Sequence, residues 1–260
     1  MIKRRCRGHV SNVRIVVPIV SLLLLDASAR AGVPDVREIS RILDELYRSK
    51  SSHGKIAMTV TTPHYTRTLE MEEWSRGLDD SLVRILSPSK ERGTATLKRG
   101  NEMWNYLPKI RKTIRVPPSM MMASWMGSDF TNDDLMKETS WEKDYDVELM
   151  KSTPEGRIGV VYSPKPDAPV TWRRIEALLD ASSRLPVSMA YYDDKDRRAR
   201  LMTFHDIKAL GGRRLPARIV LEPLLEDKRG HKTELIYEEM RFDIALPKDL
   251  FTLTNLRQEP

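Results

Sequence analysis

The residue types able to do chemistry are few in this 260-residue chain and poorly arranged for it. Beyond the first thirty residues the histidines are His53, His64, His205 and His231, and no two have the spacing of a zinc pair. Three acid pairs, Asp79-Asp80, Asp133-Asp134 and Asp193-Asp194, could supply paired carboxylates for general acid–base work. Each falls in turn-like sequence, where aspartate is common because it bonds its own backbone. No G-x-S-x-G elbow, phosphate loop or G-x-G-x-x-G fingerprint occurs. Cys6 is the single cysteine, which excludes a disulfide framework and Cys-based zinc or iron–sulfur sites. The residues call for no catalysis, no cofactor and no metal. A hydrolase would require His205 or His64 to meet a serine and a carboxylate in one pocket.

The formal charge of +7 invites a nucleic-acid reading, but it is unevenly placed. Residues 1–31 hold six basic groups and one acid, leaving 38 basic against 36 acidic groups over 32–260. Lys109, Arg111, Lys112 and Arg115 form a local basic strand, which is ordinarily a solvated face. Nucleic acid is therefore not an expected partner. The leading segment has a basic stretch to Arg14, an apolar run from Ile15 to Leu25 and then Ala29-Arg30-Ala31, the pattern of a secretory signal. The run is too short to span about 30 Å of hydrocarbon as a helix. The expected division is a signal peptide over 1–31 and one exported domain over 32–260.

The elements follow from periodicity. Val36, Ile39, Leu43, Leu46 and Tyr47 recur at helical steps after Asp35, an apt N-cap, and predict an amphipathic helix of about four turns. From Ile56 onward short β-branched or alternating runs are separated by turn signals. Strands are expected near 56–62, 66–75, 82–86, 94–98, 102–107, 110–116, 144–151, 158–163, 171–179, 185–192, 199–207, 215–222 and 232–240. Gly100-Asn101 marks a tight hairpin. Such spacing predicts a mainly β chain, with a large antiparallel sheet that curls or closes.

Residues 117–142 break that rhythm. Met120, Met121, Met122, Trp125, Met126 and Phe130 are concentrated there, and a soluble β protein must bury such a cluster. It is either a structural plug at the end of a barrel or a lid over a cavity. Period two puts Trp104 and Tyr106 on one strand face, expected to be the concave one, with Lys112 and Arg115 near its rim.

The run Trp125-Met126-Gly127-Ser128-Asp129-Phe130-Thr131-Asn132-Asp133-Asp134-Leu135 resembles the signature of the bacterial outer-membrane lipoprotein-sorting protein family, relatives of the LolA carrier. Gly100-Asn101-Glu102-Met103-Trp104, Phe204-His205-Asp206-Ile207-Lys208, Gly211-Gly212 with Pro216, and Leu250-Phe251-Thr252 add to it. The resemblance implies a strongly curved, incompletely closed antiparallel β-barrel. Its expected additions are an N-terminal amphipathic helix and a Met-rich helical lid. It also implies periplasmic handling of acyl chains or lipidated proteins, often beside an inner-membrane RND-type transporter. The expected cavity and lid residues are Trp104, Tyr106, Met120, Met121, Met122, Trp125, Met126 and Phe130. An alternative is a non-carrying accessory subunit that docks on an envelope transporter.

Overall fold

In the computed structural model the described residues are Met1, 35–136, 141–168 and 170–258; the expected signal segment and its cleavage site lie outside them. Among the described residues thirteen strands form one antiparallel sheet. The first six run as a meander: β1 (Ser52–Thr61), β2 (Thr66–Arg76), β3 (Asp80–Ser87), β4 (Ala95–Arg99), β5 (Glu102–Leu107) and β6 (Lys112–Arg115). The other seven form a second meander: β7 (Tyr145–Leu149), β8 (Arg157–Pro164), β9 (Arg174–Asp180), β10 (Pro186–Tyr192), β11 (Arg198–Leu210), β12 (Arg213–Pro223) and β13 (Lys232–Phe242). Every expected strand is present. The run near 171–179, whose spacing also suits a helix, is strand β9.

The two meanders join through β1 and β13, which pair from Ser52 with Phe242 to Thr61 with Lys232. The sheet order is therefore β6 to β1, then β13 to β7, and the two edges are β6 and β7. These edge strands are consecutive in sequence. The chain leaving one edge at residue 116 must reach the opposite edge at Tyr145 within a single connection. Among the described residues the barrel stays open, with 116–136 and 141–144 belonging to the connection between its two edges.

Alternation along the strands gives the sheet two apolar faces. Burial in β1 alternates strictly, with Ile56, Met58 and Val60 inward. They meet Met71, Val83, Ile85, Ile219 and Tyr237 in a central cluster. A second cluster, with Val160, Tyr162, Ile175, Ala177 and Met189, continues the same face across β8–β10, and Met202 and Phe204 touch both. On the opposite face an apolar cluster spans β2–β5, where Trp74, Leu82 and Leu97 pack with Leu250, Phe251 and Leu256 of the C-terminal segment.

Helix α1 (Val36–Asp44) has Asp35 as its N-cap, the carboxylate accepting from the Arg37 N–H at 2.9 Å. It is nine residues long, shorter than the four turns expected: Glu45, at φ −95° and ψ 3°, leaves helical geometry, and the Arg48 N–H bonds the Glu45 carbonyl in the turn that follows. Leu46 and Tyr47 still face the core, and Tyr47 stacks on Tyr237 with centroids 4.3 Å apart. Ile39 and Ser40 seat the helix on the second cluster, the Ser40 and Tyr162 hydroxyls lying 3.2 Å apart.

Candidate functional site

A cavity of about 240 Å³ lies between the concave face of the sheet and its cover. Its floor comes from both meanders: Ile56, Met71 and Val83 on one side, Ile175, Met189 and Met202 on the other, with Phe204, Ile219 and Leu235 between. Leu43, Leu46 and Tyr47 of the α1 region close one flank. The cover supplies Trp125, Phe130, Leu135 and Trp141. No histidine is among the lining residues, and the described residues hold no cluster of His, Cys, Asp or Glu that could bind a metal ion. No described helix is long and apolar enough to cross a membrane.

The bridging segment is not a continuous helix. It forms 3-10 turns at Pro118–Met120 and Trp125–Gly127, then short helices α2 (Asn132–Met136) and α3 (Trp141–Asp144). Pro117 and Pro118 oppose a longer helix, and Met126 and Gly127 both have positive φ, 50° and 67°. A Cβ on Gly127 would lie 2.9 Å from Arg67 Nη2, so a side chain there meets strand β2 as well as backbone strain.

Polar groups of the signature run tie this cover to the sheet at successive points. The Trp125 indole N–H donates to Thr96 Oγ1 on β4 at 3.0 Å. Arg67 on β2 donates to the Met126 carbonyl. The Asp129 N–H donates to Thr233 Oγ1 on β13 at 2.9 Å, and that hydroxyl donates back to the Asp129 carboxylate at 2.7 Å. Thr131 and Asp134 form a capping box at the start of α2, with each accepting from the other's backbone N–H. Asp134 also receives a bidentate contact from Arg200 on β11, at 2.6 and 2.7 Å. Burial alone would raise the Asp134 pKa, but the charge and hydrogen bonds of Arg200 outweigh it and hold the carboxyl below the usual range. Arg200 is itself enclosed between the rings of Trp172 and Tyr191, 4.4 and 4.1 Å from their centroids. The signature thus latches the bridge to β2, β4, β11 and β13.

The expected site residues divide sharply. Trp125, 6% exposed, and Phe130 line the cavity. Met126 packs on the central cluster. Met120 and Met122 are 52% and 48% exposed and Met121 is partly so, and none of the three is among the lining residues. Trp104 and Tyr106 are on the other face of the sheet from the one expected. Trp104 pairs with Leu97, Leu97 pairs with Leu82, and this row packs against the C-terminal segment that ends in α4 (Leu253–Leu256). The concave row of the same strands is Val83, Thr96 and Asn105. Period two grouped Trp104 with Tyr106 correctly but carries no sign, and the sign was set by Leu250, Phe251 and Leu256 competing for the convex face. Lys109, Arg111, Lys112 and Arg115 are exposed.

Sequence reading missed most of the lining. Met71, Ile175, Met189, Phe204, Ile219 and Leu235 are ordinary inward strand residues, and alternation alone could have named them once the concave face was known. It also missed Arg48, Glu73 and Ser81, which add a polar end to the lining on the β2–β3 side.

No curated protein matches the sequence. Among solved structures the chain is similar to a DUF1329 family protein from Desulfovibrio piger, with 23% identity over 85% of this chain and 97% of that one, at a TM-score of 0.75. A LolA superfamily protein from Nitrosomonas europaea matches at 21% identity over 86% and 100% of the two chains, TM-score 0.71. A Vibrio parahaemolyticus structure described as an outer membrane lipoprotein-sorting protein domain matches at 18% identity over 85% and 98%, TM-score 0.71. At such identities the likeness establishes the fold. Residues 77–258 match the model of a family described as "Uncharacterized protein", well over half of the chain. The chain therefore belongs to that family, and its fold is the open, curved sheet of the LolA superfamily and outer-membrane lipoprotein-sorting proteins.

Proposed function

We propose that this protein is a periplasmic carrier that holds an acyl chain, of a lipid or of a lipidated protein, in the cavity beneath the bridge and ferries it between the envelope membranes. The observation that carries this reading is the cavity itself, an apolar space of about 240 Å³ kept open between a curved sheet and a latched cover. Interiors are normally filled to crystal-like density, so a space of this size, lined mostly by apolar side chains with Arg48, Ser81 and the carboxylates of Asp44, Glu73, Asp133, Asp134 and Asp144 among them, has a use. Burying an acyl chain of fourteen or so methylenes at about 0.8 kcal/mol each is worth roughly 10 kcal/mol before the costs of ordering it. A water-soluble carrier must match that surface and cover it when empty. The neighbours described as LolA superfamily and lipoprotein-sorting proteins support the same reading. An export signal over 1–31, a single domain over 32–260 and an inner-membrane RND-type transporter as the handing-over partner complete the proposal.

Trp125 and Phe130 are the cover residues assigned to chain contact, with Met126 supporting them from the central cluster. Trp104, Tyr106, Met120, Met121 and Met122 are reassigned to packing or surface roles. A non-carrying accessory subunit would need a docking surface and no cavity. Protein purified from the periplasm, extracted with organic solvent and analysed by mass spectrometry, should release stoichiometric lipid or take up a labelled fatty acid when stripped. Protein that is empty and refuses the label would favour the accessory role.

A further inference from the structure

We propose that the turns at one end of the first meander dock on an anionic bilayer surface. Ile110 enters the interface at the tip, and the cations around it meet lipid phosphates. This goes beyond the carrier reading and does not depend on what the cavity holds. Antiparallel alternation puts the β1–β2, β3–β4 and β5–β6 connections at the same end of the meander. Neighbouring turns of this set are two strands apart, about 10 Å. Residues 62–65, 88–94 and 108–112 hold five basic groups, Lys90, Arg92, Lys109, Arg111 and Lys112, and one acid, Glu91. All five cations are exposed, and no ion pair engages any of them among the described residues. Glu91 instead turns inward to Arg67 at 3.5 Å, with 16% of its side chain exposed.

The rest of this end is balanced. Thr61 pairs with Lys232 across β1–β13, so the β10–β11 and β12–β13 turns lie here as well. Residues 193–197 and 224–231 hold four basic and five acidic groups. Several are matched locally: Arg197 with Asp193 at 2.8 Å, Arg174 with Asp196 at 3.0 Å and Arg229 with Glu226 at 2.8 Å. The positive excess is therefore concentrated on the first meander, where two large apolar side chains also stand out. Ile110 is 56% exposed and Tyr65 48%. Ile110 ends the 3-10 turn Pro108–Ile110, which the Arg111 N–H closes on the Pro108 carbonyl at 3.1 Å. A hydrogen-bonded turn thus holds an isoleucine away from the core between two cations. A single exposed apolar residue needs no explanation, but cations around an aliphatic and an aromatic tip have the composition of an interfacial anchor. Protruding tips suit a fluid interface, whereas a folded acidic protein would have to offer matching hollows. The surface also adjoins the cover: Arg67, which holds Glu91 of the β3–β4 turn, donates to the Met126 carbonyl.

The test is sedimentation of protein purified from the periplasm with vesicles of phosphatidylcholine alone, and of phosphatidylglycerol mixed one to two with it. In about 0.1 M salt the anionic vesicles should bind about a hundred-fold or more tightly, and added salt should shrink the difference. Lys109→Ser combined with Arg111→Ser should lose about twenty-fold of the affinity for anionic vesicles, about a factor of five for each cation. Ile110→Ser should lose about five-fold. Circular dichroism and fatty-acid uptake should be unchanged in both, which keeps this result separate from that of the cavity. Equal binding to the two vesicle types overturns the proposal and leaves the carrier reading standing. Binding to neither does the same and assigns the patch to an acidic protein. Those comparisons use the unaltered protein and do not depend on a variant folding. Anionic preference undiminished in the double variant, or binding undiminished in Ile110→Ser, with native circular dichroism, also overturns the assignment.

Discussion

Asp134 of the bridge and Arg200 of β11 meet through two parallel hydrogen bonds of 2.6 and 2.7 Å, with the guanidinium held between Trp172 and Tyr191. Their positions are sixty-six residues apart in sequence, and both are nearly removed from solvent. The pair fixes α2 over the cavity. Because Asp134 is also half of the capping box, one carboxylate both starts the helix and anchors it.

Removing one partner of such a pair leaves an uncompensated buried charge. Arg200→Met should lower unfolding free energy by about 3–5 kcal/mol, and Asp134→Asn by a comparable amount, in urea denaturation. Arg200→Met combined with Asp134→Leu should recover a large part of that loss. If the double variant is as unstable as the two losses added, the pair is not coupled as described.

The same carboxyl sets an acid limit. Its pKa is held below the usual value in the folded chain, so the unfolded chain binds its proton at higher pH. The stabilisation is fully present above the unfolded value near 4 and is lost as pH falls through the lower folded one. Stability measured from pH 5 to pH 2 should fall more steeply in the unaltered protein than in Asp134→Asn. Parallel curves would mean the carboxyl is not selectively stabilised.

Lys98 acts at the other end of the pH scale. Burial, with the nearby Arg48 charge, lowers its pKa to about 8, only partly opposed by Asp79, Asp80 and Glu73. Between about 8 and the ordinary value of 10.5 the unfolded chain holds a proton that the folded chain has released. Stability should therefore rise with pH across this window relative to Lys98→Met. An identical pH profile in the variant would show that Lys98 keeps its proton in the fold.

Packing and cavity roles separate by mutation. Trp104→Ala should cost about 2 kcal/mol of stability through the convex cluster and leave acyl-chain affinity unchanged. Met122→Asp, at an exposed position, should change neither by much. Phe130→Asp places a charge against the apolar lining and should abolish uptake. A Trp104→Ala protein that folds natively but no longer binds would return that residue to the site.

All thirteen strands, the Asp35 cap and the Gly100 hairpin were legible because each follows from local alternation and turn chemistry. The cover was legible as a segment, since six large apolar residues between Met120 and Phe130 stand outside any strand pattern. Its conformation was not legible as a helix, because Met126 and Gly127 take positive φ where the indole of Trp125 and the carboxylate of Asp129 reach different strands. Which side of β5 faces inward depends on Phe251 and Leu256, more than 140 residues later, and local periodicity holds no such information. The partnership of Asp134 with Arg200, and of Arg48 with Glu73, is tertiary in the same way.

The central claim is that the space beneath the latched bridge takes an acyl chain. Isothermal titration of a twelve- to eighteen-carbon fatty acid series tests it most directly, run on the stripped protein and on Ile219→Trp combined with Met202→Trp, which fills the floor. Saturable one-site binding should strengthen with chain length until the cavity is full and then level off. It should disappear in the filled variant while circular dichroism remains native. Binding that is absent from the unaltered protein, or that persists undiminished in the filled variant, would contradict the cavity as the binding site.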